Sequence, residues 1–323
     1  MQTPLVKTAL TEMLGIEFPI IMAPMFLVSN AAMLIEAGNA GITGAVPALN
    51  YRTDADFRKA ITEIKQGTKG PFGVNLIVNK SNIRFEEQLR TCCEMGVHYI
   101  ITSLGSPEKT INEAHKHGIK VFCDVTDWQY AQKVQDLGAD ALIAVNSEAG
   151  GHAGRIPSIE LIKMLVEKSH LPVISAGGVG NGKQMKEKLD AGACGVSMGS
   201  IFIATEEAGV SKEYKEAVVQ YGAKDIVMTT KLSGTPCTVI NTPYMQKIGT
   251  EQNWLEAFLN KNRNFKKLAK MLTFYRGMKS LEKAAFGATY KTVWCAGPSI
   301  EYVKAVEPVR VIVNRLKEEF STS

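Results

Sequence analysis

EMGVHYIITS (residues 94–103) holds the end of one structural element and the whole of the next. Glycine takes the left-handed conformation of a helix C-terminus without steric cost, so EMG reads as a helix stop. The apolar, β-branched run behind it reads as a buried parallel strand. The same phrase recurs as EAGNAGITGAV (36–46), KHGIKVFCDV (116–125), DLGADALIAV (136–145) and DAGACGVSMG (190–199). Gly38, Gly96, Gly118, Gly138 and Gly192 are the expected stops.

Two of the intervals between these phrases are about double length, and each contains a strand entered by another route: GPFGVNLIV (70–78) and LPVISAGG (171–178). With PIIMAPM (19–25) in front, the count reaches eight. Helices fit between the strands, with Ile159, Ile162, Leu165 and Val166 at helical spacing, and likewise Ala131, Val134 and Leu137. Eight alternating units predict an α/β chain folded as a TIM (β/α)8 barrel rather than an open doubly wound sheet.

The barrel is expected over residues 1–203 and 297–323. Residues 204–296 read as a mainly helical insertion after strand 8, covering the barrel mouth and interrupted by LSGTPCTVINTP (232–243). In the last helix Pro308 suits the first turn, and Val309, Ile312, Val313 and Leu316 share a face.

The charge balance of 37 basic and 32 acidic residues in 323 gives only +5, too weak and dispersed to argue for nucleic acid. A small anionic substrate remains compatible. The six cysteines form neither a CxxC pair nor a cluster with zinc-like spacing, so reduced thiols and no metal site are expected. The N-terminus lacks the pattern of a signal peptide, and FPIIMAPMFLV is too short and proline-broken to cross a bilayer, which points to a cytoplasmic protein without a membrane partner. A homodimer is left open. The basic run over 260–283, from Lys261 to Lys283, reads as a solvated helix face, with docking of an acidic carrier protein as the minority reading.

In such a barrel the chemistry lies at the C-terminal strand ends. That filter selects Ala23, Pro24, Met25, Asn75, Asp124, SEAGGHAGR (147–155), SAGGVGNGK (175–183) and the trio Met198, Gly199 and Ser200. The loops after strands 7 and 8 are where barrels commonly bind phosphate through glycine amides, which favours such a role for Gly177, Gly178 and Gly199 over plain tight turns. His152 stands between Gly150, Gly151 and Gly154, which let the loop approach a ligand and place an imidazole able to move a proton near neutral pH. His98, His115, His117 and His170 lie near helix ends or strand starts, where capping or solvation suffices. Asp124, in DVTDW, is expected to cap the following helix.

PIIMAPM, GVNLIV, EAGGHAG, SAGGV and GVSMGSIFIATEEA (195–208) together resemble, in order, the nitronate monooxygenases, on a framework shared with the flavin-dependent enoyl-acyl carrier protein reductases. The resemblance runs from about residue 14 to 215 and implies an FMN-binding barrel. It places Ala23, Pro24 and Met25 along the isoalloxazine and makes Asn75 a flavin ligand. Gly150, Gly178, Ser197, Met198, Gly199 and Ser200 then contact ribityl and phosphate. His152 matches the catalytic histidine, with an anionic nitronate as the small-molecule substrate, or an acyl thioester in the reductases. Val145 stands where these families often carry Gln or Glu.

The implied activity is FMN-dependent oxidation of alkyl nitronates by oxygen, without NAD(P)H. The alternative is NAD(P)H-dependent reduction of an enoyl thioester. A flavin- or phosphate-binding protein without turnover, and a flavin-free barrel acting on a sugar phosphate, are further readings.

Overall fold

The computed structural model describes residues 5–230, 236–251 and 293–323. Eight parallel strands close into a barrel in chain order: β1 (Ile20–Met22), β2 (Thr43–Pro47), β3 (Phe72–Ile77), β4 (Tyr99–Ser103), β5 (Lys120–Val125), β6 (Ala141–Val145), β8 (Val173–Ala176) and β9 (Gly195–Met198). The first strand pairs with the last in parallel, Met22 facing Met198, so no edge remains. The chain is an α/β TIM barrel, as its repeat predicts.

Alternation along each strand sorts the core into two layers. Ile100 and Val121 point outward into the layer under the helices, whereas Ile21, Ile101, Phe122, Ile143 and Ile174 fill the barrel interior. Each such side chain contributes about 1.5–3 kcal/mol relative to exposure. Tyr99 is also inside: its hydroxyl donates to the Gly44 carbonyl at 3.0 Å and lies 3.1 Å from Thr43 Oγ1, so its one polar atom is satisfied. Gly73 faces that ring so closely that a Cβ there would stand 2.2 Å from it. The first helix, α1 (Ala9–Leu14), plugs the far end of the barrel with Leu10.

Four of the five expected helix stops hold positive φ: Gly96, Gly118, Gly138 and Gly192. Gly38 does not. It lies inside α2 (Ala31–Asn39), where a Cβ would meet Thr68 Oγ1 at 2.5 Å, and Gly41, at φ 82°, turns the chain instead. Close packing, not backbone conformation, demands glycine at 38. On α7 (Ser158–Lys168) the buried stripe is Leu161, Ile162 and Leu165, while Val166 is 41% exposed, so the expected stripe was rotated by part of a turn.

The C-terminal helix (Val309–Ser321) buries Val309, Ile312, Val313 and Leu316 as expected, with Pro308 as its N-cap. It packs between α2 and α8 (Gly182–Asp190). Glu319 accepts from the Gly182 amide at 2.8 Å, and Lys317 donates to the Ala40 carbonyl at 2.7 Å.

Above the mouth stands a small antiparallel sheet that periodicity did not reveal. It is made of β7 (Gly151–His152), β10 (Ile226–Thr229) and β11 (Cys237–Ile240), in the order β10, β11, β7. Within the expected insertion, the described residues also include helices α9 (Lys212–Gln220) and α10 (Pro243–Ile248). The basic run over 260–283 and part of LSGTPCTVINTP lie outside the described residues.

Candidate active site

The strand ends open into a cavity of about 550 Å³, within the range of small-molecule sites. Its lining brings together every residue expected to act in catalysis or to hold the cofactor: Ala23, Pro24, Met25, Asn75, Gly150, His152, Gly177, Gly178, Ser197, Met198, Gly199 and Ser200; of the selected loops, parts such as Gly154, Arg155 and residues 180–183 stand outside it.

The floor is made by strand ends. On one side the Ala23 amide donates to the Met198 carbonyl at 2.8 Å, tying β1 to β9. The loop after β1 contains Leu27 at φ 60°, a conformation that non-glycine residues avoid. Asn50 holds it there: its Oδ1 accepts from the Leu27 amide at 2.8 Å, and its Nδ2 donates to the Ser29 carbonyl at 2.9 Å. Sequence reading had not marked Asn50, because nothing local shows that it reaches back across more than twenty residues.

The glycine loops interlock. Gly177 and Gly178 have φ of 107° and 73°. A Cβ at 177 would meet the Ala149 amide nitrogen at 2.5 Å, and one at 178 would meet Glu148 Oε2 at 1.6 Å. Gly150 is as tightly bounded, with Ser200 Oγ 2.7 Å from where its Cβ would stand. Ser200 Oγ in turn accepts from the Gly297 amide at 2.8 Å. Gly177 and Gly178 thus make the tight turns that one reading of the sequence expected, and all three glycines stand where a Cβ would collide with the neighbouring loop.

His152 is held as part of β7, paired with Cys237 of β11. His152 is solvent-exposed at the mouth and lines the cavity, and the protein packed around it lowers its pKa below the ordinary histidine value by desolvation. At neutral pH the imidazole is therefore uncharged and able to accept a proton. Cys295 sits beside Cys237, the two sulfurs 3.6 Å apart, and both line the cavity as thiols.

Asp124 is not the helix cap. Asp127 caps α6 (Trp128–Asp136), its side chain accepting from the Tyr130 amide at 2.8 Å. Three residues earlier, Asp124 still belongs to β5 and lines the cavity. There it accepts from Ser103, and burial pushes its carboxyl up to about 6. Glu148, within the selected stretch 147–155, also lines the site, as does Ser103, which the sequence analysis does not mark; Ser103 ends β4, where the strand-end filter applies.

These residues fit a flavin nucleotide. Ile101, Ile143, Ala176 and Met25 offer an apolar bed for a ring system, Asn75 supplies a carboxamide oxygen at its edge, and the glycine loops after β8 and β9 offer backbone amides for a phosphate. Among the described residues no Lys or Arg lines the cavity, so backbone amides and serine hydroxyls are the phosphate donors available there.

Fold and site together define a TIM-barrel enzyme whose chemistry occupies the mouth of the barrel. The chain belongs to the nitronate monooxygenase family, whose model matches residues 7–84 and 77–319. It is 30% identical over 272 residues to a (3aS,4S,5R,7aS)-5-hydroxy-7a-methyl-1-oxo-octahydro-1H-indene-4-carboxyl-CoA dehydrogenase of Mycobacterium tuberculosis, covering 82% of this chain and 75% of the relative. It is 27% identical over 287 residues to a probable nitronate monooxygenase of Staphylococcus saprophyticus, covering 75% and 81%. Among solved structures it is similar to FabK, an enoyl-acyl carrier protein reductase, from Thermotoga maritima, with TM-score 0.86, 30% identity and coverage of 98% and 97%. The fold is also that of a nitroalkane oxidase from Streptomyces ansochromogenes, at TM-score 0.82 and 22% identity over 98% of each chain. The protein is accordingly a flavin-dependent oxidoreductase of this family acting on small molecules.

Proposed function

We propose that the cofactor is FMN and that the enzyme oxidises alkyl nitronates with molecular oxygen. The observation that carries this is His152, an uncharged imidazole fixed by the β7–β11 ladder at the cavity. FMN, when bound, accepts an electron pair from the substrate carbon and passes electrons to oxygen. Ala23, Pro24, Met25 and Asn75 would hold its ring. Gly150, Gly177, Gly178, Ser197, Met198, Gly199 and Ser200 would hold the ribityl chain and phosphate through backbone and hydroxyl groups.

His152 does the proton work. Its neutral ring takes the acidic C–H proton of a nitroalkane, and the imidazolium so formed pairs with the nitronate oxygens. A substrate supplied as the nitronate needs only the second role. The apolar walls keep water from competing for the anion. The cysteines, all thiols, fit the reducing cytoplasm.

A second reading is favoured by the 30% identity to FabK over nearly the whole of both chains: NAD(P)H-dependent reduction of an enoyl thioester. An anaerobic visible spectrum separates the two. Bleaching of the bound flavin on adding an alkyl nitronate supports the first. A flavin that stays oxidised with nitronate but is reduced by NADH, and then reoxidised by crotonyl thioester, replaces the first reading with the second.

A further inference from the structure

β3, β4 and β5 end side by side at the cavity and carry Asn75, Ser103 and Asp124. Their hydrogen bonds run one way. The Asn75 amide donates to Ser103 Oγ at 2.8 Å, and the Ser103 hydroxyl donates to Asp124 Oδ2 at 2.5 Å. Asn75 also donates to the Ile101 carbonyl at 3.2 Å, so its amide nitrogen is fully engaged. Ser103 has a single proton to give, and it goes to Asp124. Oδ2 is therefore an acceptor, and a proton on this carboxyl resides on Oδ1. The Asp124 side chain makes no other hydrogen bond among the described residues, and the residue lines the cavity, so Oδ1 opens onto the space a ligand takes.

The surroundings keep that carboxyl from gaining a counter-charge. On its own strand is Cys123, and from α6 comes Tyr130, whose hydroxyl donates to the Gly105 carbonyl; burial pushes both up to about 12, so both are neutral. From β6, Ile143 and Val145 present hydrocarbon. Across the cavity stand His152, uncharged at neutral pH, and Glu148.

Resting on the flavin reading above, we propose that Asp124 is an acid of the flavin site. Protonated, it donates Oδ1–H to an acceptor atom of the ring; ionised, it opposes negative charge on the ring. A ring anchored by its phosphate at the β8 and β9 glycines would reach the strand ends, where Asp124 lines the same cavity. Conversion to the anionic reduced flavin takes up two electrons and one proton from solvent and substrate; by linkage the negative ring raises the proton affinity of Asp124, so where Asp124 is ionised in the oxidised enzyme reduction also draws a fraction of a proton from solvent onto its carboxyl. The site thus favours flavin reduction in acid and resists it in alkali.

The test is the reduction equilibrium of FMN-loaded protein against a reference dye from pH 5 to 9, for the wild type, Asp124→Asn and Ser103→Ala. The wild type is expected to show a break near pH 6 that Asp124→Asn lacks. At pH 8 the variant's flavin should be about tenfold easier to reduce, about 30 mV for a two-electron couple, with the difference vanishing at pH 5. Ser103→Ala removes a donor to the carboxylate and should move the break to higher pH. Superposable curves for wild type and Asp124→Asn, both yellow with bound FMN, overturn the proposal, as does an unmoved break in Ser103→Ala should Asp124→Asn not fold. A wild-type protein that cannot be loaded with FMN overturns this proposal together with the flavin reading; loss confined to the dye curves overturns this proposal alone.

Discussion

His152 and Cys237 face each other as partners in the antiparallel pairing of β7 with β11, although 85 positions separate them in the numbering of the chain. The imidazole is thereby carried by a sheet and not by a loose loop, and Thr238 reinforces the register by donating to the Ala149 carbonyl at 2.6 Å. A side chain held this way has its backbone fixed by the ladder at the cavity mouth.

Replacing His152 with Ala should lower turnover of a nitroalkane by about 10²–10⁴-fold while leaving FMN bound, since removing a positioned proton acceptor costs about that much. Steady-state kinetics alongside the flavin spectrum check it. Unchanged kcat/KM for the nitroalkane would remove His152 from the mechanism.

The pH profile should depend on which form of substrate is supplied. Desolvation lowers the His152 pKa, so the base form persists below the usual histidine range, and activity on a nitroalkane should fall only at pH values below 6.5. With preformed nitronate that acid limb should shrink, because no proton needs to be removed. Matching profiles for the two substrate forms would contradict the assignment.

Gly178→Ala should weaken both stability and FMN retention. The left-handed backbone costs about 1–2 kcal/mol for a non-glycine residue, and the new methyl collides with Glu148 Oε2. Adding Glu148→Ala should relieve the collision but not the backbone strain, so thermal denaturation of the double variant should show partial recovery.

Asp124 and Asp127 should separate cleanly by mutation. Asp127→Ala removes the α6 cap and should cost about 1 kcal/mol without altering the flavin. Asp124 titrates near 6 in the folded chain against 3.8 for the unperturbed group, a raised value. Its burial is therefore harmless below pH 4 and destabilises as pH rises to 6, by no more than about 3 kcal/mol. Asp124→Asn should accordingly gain stability relative to wild type between pH 4 and pH 7 in denaturant titrations. A pH-independent difference would show that the carboxyl is not the group responsible.

Much of this site is legible in one dimension because the barrel places chemistry at strand ends. Once the eight strands are counted, His152, Asn75 and the glycines after β8 and β9 follow from their positions. Asp124 was misjudged for the same local reason: it and Asp127 both precede a helix, and only the length of β5 shows which one caps it. Gly38 and Gly41 were confused in a similar way, since glycine is required at each position, for packing at one and for backbone conformation at the other.

By itself the sequence determined the barrel, the order of its strands and the end at which the chemistry lies, because periodicity, glycine stops and apolar runs are local and each unit repeats them. Tertiary structure alone decided the β7–β11 pairing that holds His152, the reach of Asn50 to the Leu27 loop and the chain of bonds from Asn75 through Ser103 to Asp124. Those depend on which groups closure of the barrel brings within hydrogen-bond distance and shields from water, and neither is a property of neighbours along the chain.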